Sequence, residues 1–202
     1  MPTNQDRKES RHQKILDAAL SVFSRQGYHE AAVDEIALLA DTSKGGVYFH
    51  FPGKQSIFVA LLDRSADLLL SRISERMEET NDPIAKLDAA LLALIRVFSS
   101  HRSLARLLLL EARGAGPEFN TKLMEIHGRF AAFITENLDE AVTLGVIPPL
   151  DTRTAGIAWF GALNQVITTW ILSDEPDDLE ETYPALRALL LRGVGAGTEA
   201  RA

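Results

Sequence analysis

The chain has 202 residues, of which 46% are hydrophobic and 24% are charged, and it contains no cysteine. The lack of cysteine excludes disulfides, thiolate zinc sites, iron–sulfur clusters and cysteine nucleophiles from this chain. The formal net charge of −7 is unusual for a protein that binds a polyanion, so the distribution of charge matters more than its sum.

The acidic excess lies in the second part of the chain. Residues 1–54 carry seven Lys/Arg and seven Asp/Glu, so the remaining residues hold fourteen of the 21 basic and twenty-one of the 28 acidic side chains. Residues 42–62 contain no acidic residue at all. This segment is therefore the part of the chain that a polyanion such as DNA approaches most easily.

Apolar residues recur at helical spacing along almost the whole chain, which predicts an all-α fold of about nine helices. Residues that typically end helices mark the bounds of the first three helices. The first is predicted from about residue 9 to Gly27, the second at 33–40 and the third at 43–49. The later helices are predicted at 55–79, 83–100, 103–113, 117–144, 151–172 and 177–192. The spacing divides the chain into a three-helix head, residues 1–54, and a helical body, residues 55–202.

The head carries a dense pattern of residues between Arg11 and Phe58. Apolar residues mark one face of each of the first two helices, and a glycine and tyrosine mark the turn between them: Ile15, Ala18, Ala19, Phe23, Gly27, Tyr28, Val33, Ile36, Ala37 and Ala40. Residues 43–51 read SKGGVYFHF, and Lys54 follows them. In these positions the chain resembles the TetR family of bacterial repressors. The resemblance implies a helix-turn-helix that binds an operator in double-stranded DNA as a homodimer.

The resemblance places the recognition helix at residues 43–49, and the candidate DNA-binding residues are Thr42, Ser43, Lys44, Gly45, Gly46, Tyr48, Phe49, His50 and Lys54. Two glycines in so short a helix cost about 1 kcal/mol each relative to alanine, which suits a backbone that must approach DNA closely. The lysines, hydroxyls and imidazole suit phosphate oxygens. Val47 and Phe51 suit the hydrophobic core of the head. A place in that core is also the alternative to DNA contact for Tyr48 and His50.

Three further features of the head bear on DNA binding. Ala31 and Ala32 stand where the family usually has a threonine that caps the second helix, so a cap worth about 1 kcal/mol and one phosphate contact are missing. Asp41 replaces a common glycine, and aspartate tolerates left-handed backbone well. The basic residues Arg7, Lys8 and Arg11 form either an arm near DNA or a solvated terminus. With so few basic side chains in each head, we expect a modest salt dependence of DNA binding.

By resemblance, the last two helices of the body form a two-fold dimer interface. The candidate interface residues are Gly161, Gln165, Leu179, Tyr183, Leu186 and Leu190. Small residues let helices approach closely, and the leucines form an apolar stripe on the final helix. The same stripe also suits an intramolecular core.

The resemblance also implies a ligand pocket in the body. The candidate ligand-binding residues are His101, Arg102, Leu108, Glu111, His127, Arg129, Phe130, Phe133, Trp159 and Asn164. The predicted effector is a largely apolar small molecule, such as an acyl-CoA or an aromatic compound, with Arg102 or Arg129 meeting an anionic group. For each apolar residue, the alternative to lining a pocket is a place in the packed hydrophobic core. Effector and DNA are predicted to favour different spacings of the two heads, so that the effector releases the repressor.

Other function classes find less support in the sequence. No HExxH, GxSxG or P-loop motif is present, which argues against an enzyme, and no cofactor is predicted. His101, Glu111, Glu125 and His127 do not have metal-ligand spacing on one helix, so no metal site is predicted. A polar start and the lack of an apolar run of about 18 residues predict a soluble cytoplasmic protein that does not enter the membrane. A helical adaptor without sequence-specific DNA affinity is the alternative function.

Overall fold

The computed structural model describes residues 4–112, 115–173 and 178–196, and within these ranges every regular element is helical. The predicted all-α fold is therefore confirmed. The helices are α1 (Asn4–Glu30), α2 (Val33–Leu39), α3 (Lys44–His50), α4 (Lys54–Met77), α5 (Pro83–Ser100), α6 (Arg102–Arg106), α7 (Asn120–Thr143), α8 (Thr152–Leu172) and α9 (Tyr183–Gly193). A π-helical turn, Leu107–Glu111, continues α6, and 3₁₀ turns at Pro117–Phe119 and Leu179–Thr182 precede α7 and α9.

Two elements differ from the sequence prediction. α1 begins at Asn4 rather than near residue 9, and its first turns lie beside α3. The helix predicted at 103–113 is α-helical only in its first part, and residues 107–111 widen into the π-helical turn. The turn packs against α1 of the head as well as against helices of the body, which explains why Leu107, Leu108 and Leu109 are all buried. The predicted end of one helix at residue 113 and the predicted start of another at residue 177 lie outside the residues that the structure describes.

The head is held together by an apolar core between α1, α2, α3 and the start of α4. The side chains of Ile15, Phe23, Ile36, Val47 and Phe58 have no exposed surface. Gly27 interrupts the helical dihedrals of α1 with φ 78°, as its position in the sequence predicts. Asp41 adopts φ 51° in the turn between α2 and α3, which confirms that aspartate replaces glycine there in left-handed backbone.

The start of α2 has no side-chain cap, as the sequence predicts. Ala32 occupies the cap position and offers no side-chain acceptor to the first amides of α2. Lys54 supports the preceding turn instead: its Nζ donates to the carbonyl oxygens of His29 at 2.8 Å and Ala31 at 3.1 Å. The ammonium also lies 4.8 Å from the centroid of the Tyr28 ring. Lys54 therefore ties the end of α1 to the start of α4.

The body is built on α4, α5, α7 and α8, with α9 packed against α5. Asp88 of α5 accepts hydrogen bonds from Tyr183 Oη at 2.5 Å and Arg187 Nε at 2.8 Å. The predicted interface residues Leu179, Leu186 and Leu190 are at most 6% exposed. These side chains pack within one protomer, as the alternative interpretation of the stripe predicts, and their contact with a second copy stays a prediction.

The contact between α7 and α8 depends on Gly156. A Cβ at this position would lie 2.9 Å from the Ala131 carbonyl oxygen and against the hydroxyl of Thr135. We expect Gly156→Ala to lower the free energy of unfolding by about 1–3 kcal/mol, since the helices must separate to admit the methyl group. Urea unfolding measures the change.

Gly128→Ala on α7 is the matched control for Gly156→Ala. A Cβ at Gly128 would meet nothing within 4 Å. Replacing this helical glycine is expected to raise the free energy of unfolding by up to about 1 kcal/mol. Two variants with the same change in stability would contradict the close approach of α7 and α8 at Gly156.

Candidate DNA-binding helix and apolar cavity

The recognition helix α3 begins with a side-chain cap and turns its aromatic residues outward. Ser43 Oγ accepts a hydrogen bond from the backbone amide of Gly46 at 3.1 Å. Val47 is fully buried, as predicted, and this anchors the helix to the head core. Tyr48 and Phe49 are 46% and 74% exposed, so neither belongs to that core. Both are therefore free to meet the floor or edges of a major groove.

The two glycines of α3 differ in their surroundings. A Cβ at Gly45 would meet only Ser43 Oγ, at 3.8 Å, so this position is open to the outside. A Cβ at Gly46 would collide with the hydroxyl of Thr42 in the preceding turn. A side chain at position 46 therefore requires the Thr42 hydroxyl to move, whereas one at position 45 displaces nothing. The absence of a side chain at Gly45 has no structural cause within the protein, and close approach to DNA supplies one.

Both candidate lysines have partners within the head. Lys44 Nζ lies 2.9 Å from Asp34 Oδ2, and the hydrogen bond and charge of this carboxylate raise the pKa of Lys44. The Lys44 side chain is 54% exposed, so a phosphate has access to it. Lys54 is bound to two carbonyl oxygens and is structural in the free protein. A phosphate contact by Lys54 stays a prediction.

A large apolar cavity lies in the body between α4, α5, α7, α8 and the π-helical turn. The cavity and its mouth enclose about 930 Å³. Six of the predicted ligand-binding residues line it: Leu108, His127, Phe130, Phe133, Trp159 and Asn164. Among the described lining residues, polar side-chain atoms come only from His127, Asn164 and the indole nitrogen of Trp159. An apolar cavity with few polar groups is typical of a small-molecule site.

The other four predicted ligand-binding residues do not line the cavity. Arg102 donates to the carbonyl oxygens of Trp170, Ile171 and Ser173 and lies 5.1 Å from the Trp170 ring, so it caps the end of α8. The carbonyl end of a helix favours a cation, and this explains why the arginine turns away from the cavity. Arg102 does not line the cavity, and a ligand contact by this residue stays a prediction.

The structure also places His101, Glu111 and Arg129 outside the cavity lining. His101 is exposed, with Nδ1 3.1 Å from the Val97 carbonyl oxygen. Glu111 faces the head: its Oε2 would lie 2.8 Å from a Cβ at Gly27. Arg129 forms an ion pair with Asp67 on the surface. Each charged group reaches a partner or solvent instead of the apolar interior.

Sequence reasoning missed the contribution of α4 and α5 to the cavity. Seven residues of these helices line it: Leu69, Ile73, Leu87, Ala90, Leu91, Leu94 and Phe98. Apolar residues at helical spacing look the same in sequence whether they face a packed core or an open cavity. The described residues contain no group of three or more His, Asp or Glu side chains arranged to hold a metal ion.

Comparison with known proteins gives the family. Residues 15–61 match the family described as bacterial regulatory proteins, tetR family, and residues 62–193 match the C-terminal region of YsiA-like protein. The chain belongs to the TetR family. The match covers the head and the body, so the resemblance stated from the sequence is confirmed.

One relative and two solved structures resemble this TetR protein over almost its whole length. The fatty acid metabolism regulator protein of Bacillus subtilis is 28% identical over 188 residues, which cover 93% of this chain and 97% of the relative. The fatty acid degradation regulator FadR from Bacillus halodurans has a TM-score of 0.83 at 30% identity, over 90% of this chain and 98% of that one. FadR from Bacillus subtilis, solved in complex with stearoyl-CoA, gives a TM-score of 0.83 at 28% identity over the same shares.

The TetR protein is thus a ligand-responsive, DNA-binding transcriptional regulator. The head supplies the helix-turn-helix, α2 and α3, and the body supplies the cavity. Family membership does not favour the alternative function, a helical adaptor without specific DNA affinity.

Proposed function

We propose that this TetR protein is a cytoplasmic, homodimeric repressor that leaves its operator when a long-chain acyl-CoA enters the body. The observation that carries the proposal is the apolar cavity, in which the described residues supply polar side-chain atoms only from His127, Asn164 and the indole of Trp159. FadR from Bacillus subtilis, a relative of the same fold, binds stearoyl-CoA. A hydrocarbon chain suits such a cavity because its burial removes apolar surface from water.

The lining also distinguishes an acyl-CoA from a free fatty acid. No lysine or arginine lines the cavity among the residues that the structure describes. A buried carboxylate without a cationic partner is costly, whereas a thioester is uncharged. The amide of Asn164, whose Oδ1 accepts a hydrogen bond from Thr168 at 3.3 Å, can donate to the thioester oxygen. The charged nucleotide of the coenzyme then stays outside the cavity.

Two elements connect the cavity with the head. α4 begins at Lys54 beside the head and lines the cavity with Leu69 and Ile73. The π-helical turn lines it with Leu108 and Leu109, and Glu111 at the end of the turn contacts Gly27 in α1. A ligand that displaces either element changes the position of the head, and DNA and ligand then weaken each other by the same factor.

The exposed face of α8 supports the homodimer. Among the described helices, α8 alone is long and apolar enough to cross a membrane by length and composition, and only 28% of its apolar stretch is buried within the protomer. Its outward face carries Ile157, Gly161, Gln165 and Leu172 and no charged side chain after Arg153. We assign this face to a second copy of the chain, since operator half-sites require two-fold symmetry.

Fluorescence anisotropy with labelled fragments from upstream of the protein's own and neighbouring genes tests the proposal. The expected result is tight binding to one fragment that resists competitor DNA and is reversed by stearoyl-CoA. Coenzyme A alone and stearic acid should not reverse it at the same concentration, since one lacks the chain and the other carries a carboxylate. Release by all three ligands, or by none, would refute the acyl-CoA assignment.

A variant with a filled cavity makes the test specific to this site. Ala90 lines the cavity, and Ala90→Phe places a ring inside it. DNA binding by Ala90→Phe should persist, while the stearoyl-CoA concentration needed for release should rise at least tenfold. Ala132→Phe, at an exposed position of α7 that does not line the cavity, should respond as the wild type does.

A further inference from the structure

The first three turns of α1 lie against the carboxyl end of the recognition helix. Lys8 Nζ is 5.7 Å from the centroid of the Phe49 ring. The His12 ring lies 4.5 Å from the Phe51 ring and 6.1 Å from the His50 ring, measured between centroids. These contacts place Lys8 next to Phe49, the most exposed aromatic residue of α3 at 74%, and His12 next to the residues that end the helix.

The acidic side chains of this part of α1 lie on one side of the helix, and Lys14 lies on that side too. At about 100° per residue, Lys8, Arg11 and His12 share one half of the helix circumference. The acidic residues fall in the other half: Asp6, Glu9 and Asp17. The half that contacts α3 is therefore the basic one.

The basic side chains of this surface are available to a ligand. Lys8 and Arg11 are exposed, and neither forms an ion pair with any residue that the structure describes. Burial, and after it the nearness of His12, Lys8 and Arg11, lowers the pKa of His50 at the end of α3. By contrast, the basic side chains of the helix-turn-helix, Lys44 and Lys54, already have partners.

We propose that the first three turns of α1 form a second DNA-contact surface, in which Lys8, Arg11 and His12 bind backbone phosphates next to the bases that α3 contacts. The inference rests on the DNA-binding function of the head. Of the two possibilities for the basic residues at the start of the chain, an arm near DNA or a solvated terminus, the inference favours the arm near DNA. Such contacts position the protein without selecting sequence, so they strengthen binding to operator and to random DNA alike.

The salt dependence of DNA binding tests this surface. Each phosphate contact contributes about 0.9 to the slope of log Kobs against log salt. The variant Lys8→Gln/Arg11→Gln loses two such contacts in each protomer of the dimer, so the magnitude of its slope should be smaller by about 3.6. The operator and a random duplex should show the same loss. The control Arg72→Gln/Arg76→Gln removes two exposed charges from α4 in the body and should keep the wild-type slope.

A charge-preserving variant separates phosphate contact from a structural effect. Lys8→Arg/Arg11→Lys should keep the wild-type slope, and a loss in this variant would overturn the proposal. An unchanged slope in Lys8→Gln/Arg11→Gln would also overturn it, while specific operator binding by the wild type would leave the proposed function intact. Failure of the wild type to bind any fragment specifically would refute both.

Discussion

Gly45→Leu is expected to abolish operator binding while the protein remains folded. Gly45 lies in the first turn of the recognition helix, and a Cβ there would meet nothing closer than Ser43 Oγ at 3.8 Å. A leucine therefore fits the free protein but stands between α3 and the groove. Each base contact that is lost costs about 1–3 kcal/mol, so we expect operator affinity to fall at least about a hundredfold. Fluorescence anisotropy on the operator fragment measures the loss.

Stability measurements make the Gly45 result informative. A glycine-to-leucine change within a helix is expected to raise the free energy of unfolding by up to about 1 kcal/mol. Gly128→Leu, at an exposed and unobstructed position of α7, should show a similar gain and wild-type operator binding. Wild-type affinity in Gly45→Leu would show that α3 does not approach the groove with its first turn.

Gly161→Arg is expected to convert the protein into monomers that bind the operator poorly. Gly161 is exposed in the middle of the uncharged face of α8, and no atom lies within 4 Å of a Cβ built there. An arginine is therefore harmless within one protomer, but in the dimer it places two like charges at the two-fold axis without partners. Loss of the second head removes a gain in affinity of about 10²–10⁴-fold. Light scattering after gel filtration gives the mass, and anisotropy gives the affinity.

Ala132→Arg is the control for the dimer face. Ala132 is exposed on α7, outside the face of α8 assigned to the second copy. This variant should remain dimeric and bind the operator as the wild type does. A dimeric Gly161→Arg would mean that another surface forms the interface.

Much of the local structure follows from the sequence because it depends on neighbouring residues. Pro83 begins α5 with Asp82 as its cap, and Ser43 caps α3, both at the positions that their residue types favour. Left-handed backbone occurs at Gly27 and Asp41, where the sequence offers residues that tolerate it. The pattern of residues 11–58 also gave the family, because a helix-turn-helix keeps its packing residues at fixed spacing.

The tertiary structure decided the roles of residues whose chemistry suits more than one environment. Leucines at helical spacing form protomer core at Leu186 and cavity wall at Leu91, and no local signal separates the two. Arg102 caps α8 across 68 residues of sequence and does not line the cavity.

The sequence by itself therefore determined the helices, the head motif and the family. The position of the cavity, the partners of the charged side chains and the placement of Lys8 beside Phe49 depended on the packing of distant segments. The physical reason is that helix formation and capping are governed by residues within about one turn. Burial and charge pairing depend on whichever helix packs nearby, and the pattern of a single helix does not specify its neighbour.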